Sequence, residues 1–353
     1  IFGRNKMKAE ILHWFKQNYT SLYEEMKKCS HTHSNGSMNP YHLEESVLEH
    51  TMMVLDLVVD DRNHIFAAFL HDIGKVHTRN EKKSGKVSFF NHENVSMVKS
   101  IDILHNASKS FNIDVLFILK LIAWHGTLWN KTPVSTKLKS IDSCYGHQFE
   151  FFKHLLMFTE ADAYGRDFDN SVKDELDFLD DQFKHLDIYI PFNTQTYRKE
   201  KPLNATFLIG LSGSGKSTLI SNLDKTNTEV ISIDSFFENK NRNYDYIDYK
   251  KTINKAFTKS IKDLENAVSN QKNIIVDMTN LTKKTRSTKL KRIPITKYNQ
   301  KAIVLLTGEE KIKFNLKNRS GKHLNDDIIN KQICDFELPN YDEFDDIEYK
   351  LIF

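Results

Sequence analysis

The first half of the chain carries apolar residues at intervals of three and four, the spacing that predicts amphipathic helices. No stretch in this half alternates apolar and polar residues convincingly, so strands are not expected there. We therefore predict an all-α domain over residues 1–190. The clearest helical segments are SVLEHTMMVLDLVV (46–59), IDVLFILKLIAWH (113–125) and FEFFKHLLMFTEADAY (149–164).

The pattern changes after a polar segment with two prolines, residues 191–205, which is predicted to be a linker. Beyond it, short β-rich runs alternate with helical stretches, which predicts βαβ units and a parallel sheet covered by helices. The expected fold is therefore multi-domain, an all-α domain followed by an α/β domain over residues 206–353. The β-rich runs are TFLIGL (206–211), EVISID (229–234), NIIVDM (273–278) and KAIVLL (301–306).

Composition and charge narrow the functional classes. The 353 residues include 50 Lys and Arg against 47 Asp and Glu, a net charge of +3 that excludes a general nucleic-acid polycation. The run TKKTRSTKLKR (282–292) is a local basic candidate. Three cysteines indicate a reducing compartment, and no apolar run approaches the ~20 residues of a membrane span. Because the start also lacks a signal-peptide core, we expect a cytoplasmic protein that binds no membrane.

The most specific motif is GLSGSGKS (210–217), which matches G-x-x-x-x-G-K-[ST] between an apolar strand and a helix. Backbone N–H groups of such a loop point at phosphate, and the helix N-terminus adds a positive dipole end. We expect Lys216 to reach the β- and γ-phosphates and Ser217 to hold Mg²⁺. The predicted cofactors are ATP or another nucleoside triphosphate and Mg²⁺, bound by Gly210, Ser212, Gly213, Ser214, Gly215, Lys216, Ser217 and Thr218.

Two aspartates end neighbouring strands of the predicted sheet. The carboxyl ends of such strands face the ligand crevice, so Asp234 is a candidate to accept the proton of an attacking hydroxyl. Asp277 is a candidate to support the metal or position the acceptor; for both residues the alternative is a helix N-cap. Later in the chain, Lys317, Arg319 and Lys322 lie on a charged segment that could close over the γ-phosphate, or could be a solvated helix.

The second half resembles the 5′-OH polynucleotide kinase family over nearly all of residues 201–353. The resemblance implies that Asp234 is the general base for a 5′-OH, that Arg319 is a lid arginine, and that Asp277, Asn280 and Arg286 lie on the substrate side. One position departs from the family: Phe237 stands where members often carry the arginine that would hold the acceptor's terminal phosphate. The resemblance is carried by the phosphate loop, Asp234, DMTNLTKKTR (277–286), Arg319 and FELPNYDEFDDI (336–347).

A second set of polar residues lies in the apolar helical stretches of the first half. A single histidine there would more often be a core or surface residue. Unpaired imidazoles and carboxylates are costly to bury, however, and six from different helices can converge in a bundle. Two cations about 4 Å apart can clamp a phosphoryl group. We predict that Asp72 bridges two such ions, one bound also by His50, His71 and Asp162 and the other by His92 and His125.

Mixed imidazole and carboxylate ligands suit Mn, Fe, Co, Ni or Zn better than Mg alone. Lys75, one turn after His71, is expected to steady a phosphate oxygen. These six candidate ligands follow the H…HD…D pattern, with extra histidines, and resemble the HD phosphohydrolase superfamily.

The closer similarity is to HD domains that accompany RNA-end and CCA-end processing, and it covers most of residues 38–170. Glu45 stands where a glycine is usual, and His42 is a candidate substrate-binding residue. His31 and His33 are interpreted as loop residues. The matching segments are NPYHLEESVLEHT (39–51), HDIGK (71–75), NHENVS (91–96) and ADAYGRD (161–167).

Taken together, the two halves resemble the bifunctional HD-Pnk end-healing proteins. That resemblance implies removal of a 2′,3′-cyclic or terminal phosphate and phosphorylation of a 5′-OH, with RNA or DNA ends as substrate and a separate RNA ligase as partner. Three alternatives stay open. They are an HD nucleotidase fused to a small-molecule or nucleoside kinase, a non-catalytic metal-stabilised scaffold in the first half, and a motor or switch ATPase in the second.

Overall fold

The computed structural model describes residues 4–37, 39–127, 149–174, 177, 180–181, 184–185, 201–223, 225–238, 246–319 and 324–353. The chain folds as two compact units, Ile1–Thr194 and Gln195–Phe353, and each is described by itself. Residues 191–200 of the predicted linker lie outside the described residues, as does Lys322.

The first unit is helical, as predicted, and three of its helices begin at polar side-chain caps. Ser46, Asp61 and Asp114 each accept a hydrogen bond from a backbone N–H of the first turn that follows. The helices are α1 (Arg4–Asn18), α2 (Thr20–Lys28), α3 (Val47–Leu57), α4 (Arg62–Leu70), α5 (Lys75–Thr78), α6 (His92–Ser108), α7 (Val115–Trp124) and α8 (Phe149–Tyr164).

One feature of this unit was not predicted, a short antiparallel hairpin of β1 (Arg79–Glu81) and β2 (Val87–Phe89). Its strands have three residues each, too few for an alternating pattern to stand out. Gly85 supplies the positive φ of +77° that the connecting turn requires. The expectation that this half holds no strands was therefore wrong for residues 79–89.

Helix α4 lies at the centre of the first unit. Every residue from His64 to Leu70 is buried, and the helix packs against α1, α3, α6, α7 and α8. A helix that is apolar all round must be buried in this way. Its C-terminal end therefore delivers His71 and Asp72, the next two residues, into the core of the unit.

The second unit is an α/β fold with a five-stranded parallel sheet in the order β4-β5-β3-β6-β7, and the predicted fold class is confirmed. The strands are β3 (Leu203–Ile209), β4 (Thr228–Ser232), β5 (Asn273–Asp277), β6 (Tyr298–Thr307) and β7 (Asp346–Ile352). The helices are α9 (Lys216–Ser221), α10 (Asp234–Glu238), α11 (Tyr246–Ser269), α12 (Lys283–Leu290), α13 (Glu309–Lys317) and α14 (Asp326–Cys334).

The last strand, β7, was not predicted. It alternates Asp346, Glu348 and Lys350 with apolar residues, the pattern of an edge strand with one polar face. In the part of the chain that the structure describes, no helix combines the length and apolarity needed to cross a membrane.

Lys289 on α12 is a buried lysine, 2% exposed. Its Nζ donates to Thr285 O at 3.0 Å and lies 5.8 Å from the centre of the Phe257 ring. Burial, and then the charge of Arg286, lowers the pKa of Lys289 to about 8. Since the folded protein disfavours the charged form, we expect Lys289→Met to raise the free energy of unfolding by about 1–3 kcal/mol at pH 7.

Denaturant titrations between pH 7 and pH 10.5 would measure this difference. The advantage of Lys289→Met should shrink as the pH rises above 8, because the folded wild type then releases the Lys289 proton while the unfolded chain keeps it, so the wild type gains stability. Lys284→Met, on the exposed face of the same helix, is the control and should show no such trend. A constant advantage at every pH would contradict the prediction.

Candidate active sites

Six polar side chains of the first unit converge from separate parts of the sequence. His50 lies on α3 and His71 and Asp72 follow α4, whereas the other three lie on or next to α6, α7 and α8. The ligand atoms within each group lie within 4.8 Å of one another. The two groups are His50, His71 and Asp162, and Asp72, His92 and His125.

The Asp72 carboxylate lies between the two groups. Its Oδ2 is 3.4 Å from His50 Nε2 and 3.3 Å from His71 Nε2. Its Oδ1 is 3.2 Å from His92 Nε2. The two oxygens therefore face different groups, which is the arrangement that a bridging carboxylate requires.

The four imidazoles share one orientation, with Nδ1 toward a backbone carbonyl. A carbonyl oxygen only accepts hydrogen bonds, so each Nδ1 carries a proton, and in the neutral ring Nε2 is the ligand atom. The pairs are His50 Nδ1 with Gly165 O (2.8 Å), His71 with Ala68 O (2.8 Å), His92 with Phe89 O (2.9 Å) and His125 with Ile122 O (2.7 Å).

This orientation brings electron pairs together at the centre. His50 Nε2 lies 3.3 Å from His71 Nε2 and 3.0 Å from Asp162 Oδ1. Among the residues that the structure describes, none donates a well-formed hydrogen bond to either oxygen of Asp72, although Lys75 Nζ lies 2.7 Å from Oδ2. Lone pairs at these distances repel unless a proton or cation lies between them. Imidazole nitrogens and carboxylate oxygens are suitable ligands for divalent transition metals, so the residues fit such ions.

The electrostatics agree with a cation-binding centre. Burial lowers the pKa of His50 to about 4. For His71 burial acts in the same direction, but Asp72 and Asp162 overcome it and raise the pKa to about 10. Burial would raise the pKa of both carboxyls, yet His71 holds that of Asp72, and Arg166 that of Asp162, well below the usual range. Two ionised, buried carboxylates need positive charge beside them.

Gly74 permits the close contact that places Lys75. A Cβ at residue 74 would lie 2.2 Å from His92 O and 2.6 Å from Ser96 N. The Gly74 N–H donates to Ser96 Oγ at 2.8 Å. Only glycine fits between α5 and α6, and its small size holds Lys75 beside Asp72.

We expect Gly74→Ala to push α5 away from α6, to lower the stability of the protein by about 1–3 kcal/mol, and to reduce its metal content. Thermal unfolding and elemental analysis of the purified full chain would measure both effects. Gly126→Ala is the control, because its Cβ would meet only the end of the Glu93 side chain, at 2.9 Å. Unchanged stability and metal content in Gly74→Ala would contradict the close-contact argument.

A third group of metal-ligating side chains, His31, His42 and Glu44, lies next to the first two. His42 Nδ1 donates to Glu44 Oε1 at 2.5 Å. His31 is fully buried and its Nδ1 lies 3.4 Å from the same oxygen, but neither ring nitrogen has a hydrogen-bond partner among the described residues. His31 does lie in a loop, as interpreted, but that loop brings its ring centre to 6.0 Å from that of His50, beside the predicted ligands. His33 accepts a hydrogen bond from Val87 N in the hairpin.

Arg166 is a site residue that the sequence analysis did not select. Its Nη2 donates to Asp162 Oδ1 at 3.0 Å and to Asp162 O at 2.8 Å, and its Nη1 lies 3.4 Å from His42 Nε2. The usable signal was its spacing, four residues after a candidate ligand, which places an acid and a base side by side on a helix. His42 thus lies between Glu44 and Arg166 at the edge of the centre.

The second unit holds a cleft of about 460 Å³ above the carboxyl ends of its strands. The phosphate loop forms one wall, with Gly213 and Gly215 at φ of +83° and +94°. Lys216 Nζ donates to the carbonyls of Gly210 and Leu211 at 2.9 and 2.8 Å. Gly210 does not line the cleft; a Cβ there would lie 2.7 Å from Ser214 Oγ, so this glycine shapes the loop. The predicted residues that line the cleft are Ser212, Gly213, Ser214, Gly215, Lys216, Ser217 and Thr218.

Asp234, Asp277 and Arg319 line the same cleft. Arg319 Nη2 lies 3.4 Å from Asp234 Oδ2, so the predicted lid arginine and the predicted base form an ion pair. Gln332 was not predicted; its side-chain oxygen accepts from Ser212 N at 2.9 Å. A lone amide on a helix gives no sequence signal for such a role.

Two predicted substrate-binding residues are not in the cleft. Arg286 is fully buried, its Nε and Nη2 donate to Glu343 at 2.7 and 2.8 Å, and its Nη1 donates to Leu281 O at 2.8 Å. Asn280 is 2% exposed and its Nδ2 donates to Leu208 O at 2.8 Å. Both assignments differ from the structure, in which the two side chains are buried, donate to protein acceptors and do not line the cleft. Phe237 is also buried, at 4% exposure.

The comparisons agree with these two sites. Residues 47–157 match the family model of the HD domain, and residues 206–339 match the model described as AAA domain. Comparison with curated proteins gave no match. The chain therefore contains a helical HD domain followed by a P-loop, kinase-like α/β domain. These findings support an enzyme that combines a metal-dependent phosphohydrolase with a nucleotide-dependent kinase.

Proposed function

We propose that the protein heals broken nucleic-acid ends, RNA above all. The HD domain removes a 2′,3′-cyclic or terminal phosphate, and the kinase domain transfers a phosphoryl group from ATP to a 5′-OH. The observation that supports the proposal is the presence in one chain of a His–Asp centre that could hold metal ions and a phosphate-loop cleft, because the first would remove phosphate and the second would add it. An ATP-dependent ligase needs a 3′-OH and a 5′-phosphate, so a separate RNA ligase is the expected partner.

In the HD domain, two divalent cations held by the six ligands would polarise the phosphoryl group. The protein's own cations complete the site. Lys75, 2.7 Å from Asp72, and Arg166, 3.0 Å from Asp162, lie where they can bind phosphate oxygens beside the centre. His42, in contact with Arg166, orients that guanidinium.

In the kinase domain, Lys216 leaves the loop carbonyls of Gly210 and Leu211 to bind the β- and γ-phosphates. Asp234 accepts the proton of the attacking hydroxyl, which makes the oxygen a better nucleophile. Arg319 turns from Asp234 toward the transferring phosphoryl group and neutralises the charge that develops there.

A second candidate is an HD nucleotidase fused to a nucleoside or other small-molecule kinase. The observation in its favour is Phe237, buried at the position where the polynucleotide kinases often carry an arginine for the acceptor's terminal phosphate. A free nucleoside has no such phosphate and needs no such arginine.

The test presents both kinds of substrate to the full chain, with ATP, Mg²⁺ and a panel of Mn, Fe, Co, Ni and Zn. One substrate is an RNA oligonucleotide with a 5′-OH and a 2′,3′-cyclic phosphate; the others are a nucleoside and a nucleoside 2′,3′-cyclic phosphate. We expect conversion of both oligonucleotide ends. Turnover of the mononucleotides alone would favour the nucleotidase and nucleoside kinase, and ATP hydrolysis without transfer would overturn both.

A further inference from the structure

The β1–β2 hairpin and the residue after it, residues 79–90, form a strongly basic surface. The segment carries four cations and one carboxylate, so its net charge of +3 equals that of the whole 353-residue chain. All five charged residues are exposed. Within the described part of the chain, none of the four cations pairs with a carboxylate. The charged residues are Arg79, Glu81, Lys82, Lys83 and Lys86.

This hairpin is fixed at the edge of the metal centre. Phe89 O accepts the hydrogen bond of His92 Nδ1 at 2.9 Å, and the Phe89 ring lies 5.6 Å from Lys75 Nζ. Arg79 Nε donates to Ser30 O at 3.2 Å, which ties the hairpin to the neighbouring loop. The segment therefore ends two residues before His92, a candidate metal ligand, and its backbone accepts a hydrogen bond from that imidazole.

Phe90 is the last residue of this surface. It is 80% exposed, the most exposed large apolar side chain among the described residues, and it comes two residues before His92. Its neighbour Phe89 is turned inward and only partly exposed. An exposed aromatic ring next to unpaired cations is the combination that binds single-stranded nucleic acid, because bases stack on the ring while cations follow the phosphates.

We infer that residues 79–90 bind the nucleotides adjacent to the reacting 3′ end, with a base stacked on Phe90 and backbone phosphates along Lys82, Lys83 and Lys86. The inference rests on the proposed function and deepens it, because it assigns the HD site to single-stranded oligonucleotide ends. A small phosphodiester would reach the centre without touching this surface.

The first test compares Phe90→Ala with the wild-type full chain on two substrates, an RNA oligonucleotide ending in a 2′,3′-cyclic phosphate and bis-p-nitrophenyl phosphate. Loss of stacking should raise KM for the oligonucleotide about 5- to 100-fold. It should leave kcat and KM for the small phosphodiester unchanged. Phe90→Trp should keep the wild-type KM. Equal values for wild type and Phe90→Ala on the oligonucleotide would overturn the inference.

The second test removes charge. Lys82→Ala with Lys83→Ala should reduce the salt dependence of kcat/KM for the oligonucleotide by about 1.4 in log–log slope, roughly 0.7 for each lost phosphate contact. The control pair, Lys16→Ala with Lys109→Ala, removes the same charge. Lys109 directly follows the 17-residue α6, about 25 Å from His92, and Lys16 lies on α1, which reaches that region through Trp14 and Phe111.

The hairpin double variant should therefore show a smaller salt slope than the control double variant. An identical salt slope in both would refute the assignment of the hairpin. The failure of the inference is separable from that of the proposed function. If the wild type processes oligonucleotide ends and the hairpin variants match it, only the hairpin assignment fails. If the wild type processes no oligonucleotide end, both fail.

Discussion

Replacement of Asp72 by Asn is expected to lower the phosphohydrolase rate at least about 1,000-fold and to leave the kinase rate unchanged. The two Asp72 oxygens lie 3.2 to 3.4 Å from the Nε2 atoms of His50, His71 and His92. Asparagine keeps the size of the side chain but has one neutral oxygen, so it cannot serve both ligand groups. Loss of the cations removes several kcal/mol of charge stabilisation, and each ~1.4 kcal/mol is tenfold in rate.

Analysis of both ends of a 5′-OH, 2′,3′-cyclic phosphate RNA would measure the two rates in one reaction. Elemental analysis should show less bound metal in Asp72→Asn than in the wild type. Asp56→Asn, an exposed residue of α3, makes the same chemical change and should behave like the wild type. Full phosphohydrolase activity in Asp72→Asn would show that the His–Asp centre is not the hydrolytic site.

The sequence was informative about this centre because burial is costly for the residues concerned. Imidazoles and carboxylates within apolar helices must find partners, and that requirement selected His50, His71, Asp72 and Asp162 although 112 positions separate the first from the last. The hydrogen bond that sets each tautomer is accepted by a backbone carbonyl, which every residue has, so no sequence pattern predicts it. The sequence analysis did not select His31 for a related reason, because this residue lies in an irregular polar stretch whose burial depends on distant elements.

In the kinase domain, the sequence identified the contiguous phosphate loop but not which side chains of a helix point toward a ligand. The phosphate loop is one continuous segment, and its strand, glycines and helix all appear in order. Arg286 belongs to a basic run on a helix, and such a run does not tell which cations point to a ligand. Its partner Glu343 lies 57 residues further on, so only the folded chain shows that this arginine is structural.

The Asp234→Asn variant should phosphorylate a 5′-OH about 10²- to 10⁴-fold more slowly, which is the rate factor that a general base usually contributes. Its affinity for ATP should be unchanged. Asp234 starts α10 after β4 and lines the same cleft as the phosphate loop. The amide keeps the shape but cannot accept the hydroxyl proton. It also leaves Arg319 without the negative charge that now lies 3.4 Å away.

Single-turnover phosphorylation of the 5′-OH oligonucleotide would measure the rate, and titration with a fluorescent ATP analogue would measure affinity. Asp263→Asn, on the outer face of α11, is the matched control. A wild-type rate in Asp234→Asn, or loss of ATP binding equal to the loss of rate, would assign the base to another residue and leave Asp277 as the next candidate at the same cleft.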